Sequence, residues 1–125
     1  LIAKYPKGRQ ASAVMGLLWL AQQQHDNWIP EKAMEEIARL LDMPKIKVYE
    51  VATFYTMYNL APRGTHHLQF CTTTPCWLRG SADVVSACEK HLGIKMGGTT
   101  PDGQFTMSDV ECLGACVNAP VVQYN

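Results

Sequence analysis

The sequence predicts an α+β protein in which a helical N-terminal half precedes a half that mixes strands with helices. As far as about residue 62, apolar residues recur at spacings of three and four, the period of a one-sided helix. Beyond that point, short strand-like segments alternate with turns that contain glycine or proline. The length of 125 residues suits one compact domain or one domain with a small appendage. We therefore expect a helical bundle over residues 1–62 and a mixed domain over residues 63–125.

Three helices are expected in the N-terminal half. Apolar residues at helical spacing run from about residue 8 to residue 25 and predict the first helix. Pro30 and Pro44 suit the first turns of the second and third helices, because the N–H groups of a first turn have no partner in the helix and proline has no N–H to lose. Turn-forming residues between positions 59 and 64 end the third helix.

The mixed half is expected to contain strands at three places. A strand is predicted from His66 and ends at Cys71, and a helix is then predicted to begin at Cys76 and to run to about residue 91. After a series of glycine-containing turns, residues 104–110 predict a second strand, and Val121 begins a third. Cys71 thus lies at the end of the first predicted strand, and Cys112 comes directly after the second.

The two ends of the sequence indicate a longer protein. Leu1 is not a start methionine, and no cationic segment followed by an apolar stretch marks a signal peptide. At the other end, Val121 and Val122 begin a strand that the sequence does not complete. We therefore expect a fragment that is truncated at its C-terminus.

Composition and charge exclude several classes of partner. Hydrophobic residues make up 47% and charged residues 18%, as in ordinary globular proteins. Eleven basic residues balance eleven acidic ones, so no net charge attracts nucleic acid or an anionic membrane. The longest apolar run, residues 13–21, is too short to cross a bilayer. We expect protein partners, no nucleic acid and no direct membrane insertion.

The cysteines carry the chemical information. Cys71 and Cys76 are separated by four residues, Cys112 and Cys116 by three, and each lies in a loop or at the end of a strand. Two loops can bring the two pairs together. A 2Fe-2S cluster requires this number of thiolates, because each of its two irons takes two external ligands. These four cysteines are the candidate ligands of the metal and cofactor.

Other uses of the cysteines stay open or are disfavoured. Structural zinc stays open, although zinc sites favour two-residue spacings within both pairs. Disulfides are disfavoured because no secretion signal is visible, and a thioredoxin-type redox couple requires a Cys-x2-Cys spacing. The fifth cysteine, Cys88, falls on the apolar face of its predicted helix, so packing explains it better than ligation.

Motifs for substrate chemistry are missing from the sequence. It contains no dinucleotide fingerprint, no phosphate-binding loop, no zinc-protease motif and no nucleophile elbow. We therefore expect no catalytic residues in this chain. One 2Fe-2S centre passes one electron at a time, whereas a hydride carries two. A partner that accepts the hydride and releases its electrons singly, such as a flavoprotein, must therefore lie beside it.

Three segments closely resemble the thioredoxin-like 2Fe-2S ferredoxin subunits of respiratory complex I, in bacteria and in mitochondria. They are VYEVATFYTMY at residues 48–58, CTTTPC at residues 71–76 and VECLGACVNAP at residues 110–120. The resemblance covers essentially the whole chain. It implies a thioredoxin-like ferredoxin domain after the helical bundle, with Cys71, Cys76, Cys112 and Cys116 as the ligands of one cluster. Members of that family normally continue past the last predicted strand with another strand and a helix.

The resemblance also implies a setting for the protein. One electron would be stored reversibly beside the FMN of a flavoprotein subunit that also binds NADH, and a larger iron–sulfur subunit would belong to the same complex. That complex passes electrons from NADH to quinone and lies against the inner membrane on the bacterial cytoplasmic side or the mitochondrial matrix side. Similar subunits occur in NAD-dependent formate dehydrogenases and hydrogenases, which stay alternative hosts, as does a zinc-stabilised structural subunit.

Overall fold

The computed structural model describes all of residues 1–125, and its mixture of helices with one small sheet confirms the predicted α+β class. The helices and strands are α1 (Val14–Gln24), α2 (Glu31–Leu40), α3 (Lys45–Phe54), β1 (His66–Cys71), α4 (Thr74–Leu78), α5 (Ser81–Leu92), β2 (Phe105–Val110) and β3 (Val122–Tyr124). The residues divide into two compact units, Leu1–Pro62 and Arg63–Asn125. No helix combines the length and the apolar character that a membrane crossing requires.

The first unit is built from α1, α2 and α3 around an apolar core. Each of these helices presents buried apolar side chains at helical spacing, as the sequence pattern predicts. The first helix begins later than the pattern predicts, because Gln10–Ala13 forms a 3-10 turn before α1. The core consists of Ala13, Val14, Leu18, Ile29, Met34, Ile37, Ala38, Leu41, Val48, Ala52 and Tyr58.

A buried glutamine ties α1 to the segment that follows α3. The Gln22 side chain donates a hydrogen bond from Nε2 to the carbonyl of Met57 (3.0 Å), and its Oε1 accepts one from the N–H of Asn59 (2.7 Å). Between these two positions, the Tyr58 hydroxyl donates to the carbonyl of Met15 (2.9 Å). The side chains of Gln22 and Tyr58 therefore satisfy backbone groups that are buried or partly buried.

The second unit contains a three-stranded sheet with the order β2-β1-β3. The central strand β1 is parallel to β2 and antiparallel to β3. A parallel pair needs a crossover connection, and α5 lies in the segment that provides it. Because β1 is paired on both sides, its last residue, Cys71, is held in register with Val110 of β2. The sheet thereby places the end of β1 beside the loop that follows β2.

The prediction of one helix from Cys76 to about residue 91 is wrong. The structure has two helices, because Gly80 takes a left-handed conformation (φ +88°) between α4 and α5. Glycine adopts this conformation without the steric penalty that other residues meet. Cys76 is therefore the third residue of the short helix α4 and does not begin a helix. The first strand agrees with the prediction, since β1 ends at Cys71.

Close approach of the backbone makes Gly64 difficult to replace. Its N–H donates to Thr106 Oγ1 (2.7 Å), and a β-carbon at this position would lie 2.8 Å from the Gln104 carbonyl oxygen and from the carbonyl carbon of Phe105. These are backbone atoms of the chain segment that enters β2, so they cannot turn aside as a side chain can. We expect Gly64→Ala to lower the free energy of unfolding by about 1–3 kcal/mol, as overpacking does.

Urea unfolding monitored by circular dichroism would measure this loss. Gly16→Ala is the matched control, because its β-carbon would meet only the end of the flexible Leu1 side chain and alanine favours a helix interior. The control should be neutral or stabilising. Equal stability of Gly64→Ala and the unchanged protein would contradict the prediction.

Candidate metal centre

The first thiol pair is buried where β1 meets α4. The side chains of Cys71 and Cys76 are 2% and 1% exposed, and they pack with Ala119 in a small cluster. The Cys71 N–H donates to the carbonyl of Val121 (3.1 Å), which fixes the backbone at the end of the strand. Both thiols are thus held by ordered secondary structure and shielded from solvent.

The second thiol pair lies on the segment after β2 and is exposed. Cys112 lies in the loop, and Cys116 begins a short 3-10 helix, Cys116–Asn118. Between them Gly114 has a positive φ of +69°, and its N–H donates to Cys112 Sγ (3.4 Å). The left-handed glycine lets the loop fold back so that a backbone N–H points at a sulfur.

The fold brings the four predicted cysteines together as two pairs. The thiols of Cys71 and Cys76 lie close enough to shift each other's pKa, and Cys112 in the same way raises the pKa of Cys116. The two pairs also influence each other electrostatically. The charge of Cys116 raises the pKa of Cys76, and the charge of Cys71 raises the pKa of Cys116. No group of three or more His, Cys, Asp or Glu side chains in residues 1–125 is placed to hold one metal ion.

Hydrogen-bond donors surround the sulfur of Cys71. The Thr73 hydroxyl lies 3.2 Å from Cys71 Sγ. This hydroxyl, followed by the Thr73 N–H, the Cys76 thiol and the Leu113 N–H, lowers the pKa of Cys71 to about 7 against the opposing effect of burial. While protonated, the thiol donates in turn to the carbonyl of Glu111 (3.5 Å). Donors directed at the sulfur stabilise the thiolate, the form of cysteine that binds metal.

Cys76 and Cys116 hold their protons more tightly than an ordinary cysteine. Burial, followed by the hydrogen bond to Cys71, raises the pKa of Cys76. The hydrogen bond with Cys112, followed by the charge of that neighbour, raises the pKa of Cys116. Two thiolates side by side repel each other unless a cation lies between them. Loading a metal must therefore release protons, and its affinity should fall as the pH is lowered.

Some residues near the centre differ from the sequence expectations. The sequence does not indicate the contact of the Thr73 hydroxyl with a sulfur, because the predicted helix begins at Cys76 and leaves Thr73 in a loop. Cys88 lies on α5, half-buried beside an apolar cleft that Leu68 and Phe105 also line. It is not one of the paired thiols.

Comparison with known proteins yields matches over the whole chain. The sequence profile of the family described as thioredoxin-like [2Fe-2S] ferredoxin matches residues 1–125. A protein of Rickettsia conorii that is named as a subunit of NADH-quinone oxidoreductase is 58% identical over 125 residues, which cover 100% of this chain and 75% of that protein. The mitochondrial NADH dehydrogenase [ubiquinone] flavoprotein 2 of Dictyostelium discoideum is 50% identical, with 100% and 51% covered.

A solved structure shares the fold at low sequence identity. It is the crystal structure of an NAD+-reducing [NiFe]-hydrogenase in the air-oxidized state, with a TM-score of 0.76 and 19% sequence identity. The match covers 90% of this chain and 19% of the hydrogenase chain. At this identity the likeness concerns the fold alone.

Proposed function

The chain belongs to the thioredoxin-like [2Fe-2S] ferredoxin family, and from this premise we propose that it carries single electrons on one 2Fe-2S cluster. Cys71, Cys76, Cys112 and Cys116 would be the four ligands. Residues 63–125 would form the ferredoxin domain, and the helical residues 1–62 would precede it. When bound, the cluster supplies reversible one-electron transfer.

The observation that carries this proposal is that the sheet places Cys71 beside the loop of the second thiol pair: Cys71 is in register with Val110, and its Sγ lies 3.5 Å from the carbonyl oxygen of Glu111. Each pair suits one tetrahedral iron, whose other two ligands are bridging sulfides. A structural zinc ion would instead require four ligands directed at one point. The N–H groups of Thr73, Leu113 and Gly114, which act on sulfurs of the two pairs, also suit an anionic iron–sulfur group.

For the host we propose NADH:quinone oxidoreductase, respiratory complex I. The support is the identity of 58% with a bacterial protein named as one of the subunits of that enzyme. The partners would be the flavoprotein subunit that binds FMN and NADH and the larger iron–sulfur subunit. The protein would then lie on the bacterial cytoplasmic or mitochondrial matrix side of the inner membrane, peripheral to it through the complex.

A formate dehydrogenase or a hydrogenase is the alternative host. Likeness to a hydrogenase structure at 19% identity favours neither host over the other, because it concerns the fold alone. Purification of the tagged protein from its source separates the hosts by the subunits that accompany it. Quinone-linked subunits indicate complex I, whereas a molybdenum or tungsten subunit, or a nickel–iron subunit, indicates the other two.

Metal analysis of anaerobically purified protein tests the proposed function. We expect about two irons and two acid-labile sulfides per chain, as four thiolate ligands require, and a 2Fe-2S EPR signal after reduction with dithionite. Roughly one zinc per chain, with no sulfide and no signal, would refute the electron carrier and leave a structural subunit.

A further inference from the structure

The hydroxyl of Thr73 contacts a cysteine sulfur and not the helix that begins after it. Thr73 is the N-cap residue of α4, with an extended backbone (ψ 169°), and yet its hydroxyl makes no capping hydrogen bond to the helix. A threonine at this position normally accepts a hydrogen bond from an N–H of the first turn. Here the hydroxyl lies 3.2 Å from Cys71 Sγ instead. Local helix formation does not explain that placement.

The direction of this hydrogen bond follows from the chemistry of the sulfur. In the free thiol either atom can donate, and the thiol proton is also within reach of the Glu111 carbonyl (3.5 Å). A thiolate bound to iron has no proton, so it can only accept. The Thr73 hydroxyl is then the donor, and the contact with Glu111 can no longer be a hydrogen bond.

The surroundings of Cys71 make such a bond effective. Cys71 is 2% exposed, so water does not compete for its sulfur. Charge-assisted hydrogen bonds are the stronger ones, and they strengthen further where water is excluded. One-electron reduction adds one negative charge to an iron–sulfur group and breaks no bond to Thr73. A donor at the sulfur therefore stabilises the reduced form more than the oxidised form.

We infer that Thr73 is a positioning and tuning residue whose hydroxyl donates to Cys71 Sγ and raises the reduction potential of the cluster. The inference rests on the proposed function, since it requires Cys71 to be an iron ligand. Neither the number of cysteine ligands nor their spacing determines the reduction potential, whereas the Thr73 hydroxyl would.

Redox titration of the purified, iron-loaded chain, followed by EPR, tests the inference. Thr73→Val replaces the hydroxyl with a methyl group and nearly keeps the shape of the side chain. Thr73→Ala removes both the hydroxyl and the methyl group, and Thr73→Ser keeps the hydroxyl. Thr74→Val is the matched control, because Thr74 is an exposed neighbour without a hydrogen bond to a cysteine sulfur. Without the hydroxyl, we expect a three- to tenfold smaller equilibrium constant for reduction, a potential more negative by about 30–60 mV.

The serine variant and the Thr74→Val control should have the same reduction potential as the unchanged protein. Equal potentials of the valine, alanine and unchanged proteins would overturn the inference, and so would an equal shift in Thr74→Val. A second measurement needs no potential: in D2O, the pulsed EPR spectrum of the reduced protein should contain a coupling from an exchangeable deuteron that Thr73→Val lacks. Identical spectra would also overturn it.

Failure of the proposed function would look different from failure of this inference. If the chain is not an electron carrier, the unchanged protein itself contains no iron, no sulfide and no EPR signal. If only the role of Thr73 is wrong, all variants bind two irons and titrate at one potential. The iron and sulfide content of each preparation therefore separates the two results.

Discussion

Cys76→Ser should abolish the visible absorption and the EPR signal of a 2Fe-2S cluster, with a loss of iron affinity greater than about tenfold, since even a change next to a ligand costs that much. A serine hydroxyl is a harder and much less acidic ligand than a thiol and competes poorly for iron. Cys76 is 1% exposed within α4, so no water can easily take the place of the missing sulfur. Iron, sulfide and EPR measurements on the variant would show the loss.

Cys88→Ser is the matched control for this change. It makes the same chemical replacement in α5, at a cysteine that is not one of the four paired thiols. This variant should retain both irons and an unchanged spectrum. If Cys76→Ser kept the full iron content with an unaltered spectrum, or if Cys88→Ser lost as much iron, the assignment of the ligands would be wrong. Far-ultraviolet circular dichroism checks that both variants fold.

Gln22→Leu should destabilise the first unit by about 2–4 kcal/mol, because removing one partner of a buried hydrogen bond costs about 1–3 kcal/mol and the second of its two bonds is only partly buried and costs less. The variant loses the bonds to the Met57 carbonyl and the Asn59 N–H, in a place that is 2% exposed. Leucine is of similar size but can neither donate nor accept. Urea unfolding of the variant would give the free-energy difference.

Gln23→Leu is the control for that substitution, because the neighbouring Gln23 is exposed on the same helix. A surface change of this kind should alter the free energy of unfolding by no more than about 0.5 kcal/mol. If the two leucine variants proved equally stable, the two buried hydrogen bonds would not contribute as the structure suggests.

Elements with strong local signals could be predicted from the sequence. Helices α2 and α3 begin directly after Pro30 and Pro44, where the prolines and the apolar spacing place them. The grouping of four cysteines as two pairs also follows from their spacing, because each pair lies within one short segment.

Other features depend on contacts that a sequence pattern does not contain. The break at Gly80 was missed because apolar residues continue on both sides of it, although a glycine followed by serine is a signal for the end of one helix and the start of another. The register of β1 with β2 arises from pairing across more than thirty residues. The bond from Thr73 to Cys71 was missed because the sequence does not specify which way a threonine side chain in a loop points.

Burial and acidity together determine how readily the cysteines of the metal-free protein are oxidised. Attack by peroxide or a disulfide requires a sulfur that is both deprotonated and accessible. The hydrogen bonds from Thr73 lower the pKa of Cys71 to about 7, but that sulfur is shielded. The exposed thiol of Cys116 has a raised pKa instead. Of these two thiols, the more acidic one is buried and the exposed one is less acidic. Before iron is bound, we therefore expect both to be oxidised more slowly than an exposed cysteine with a low pKa.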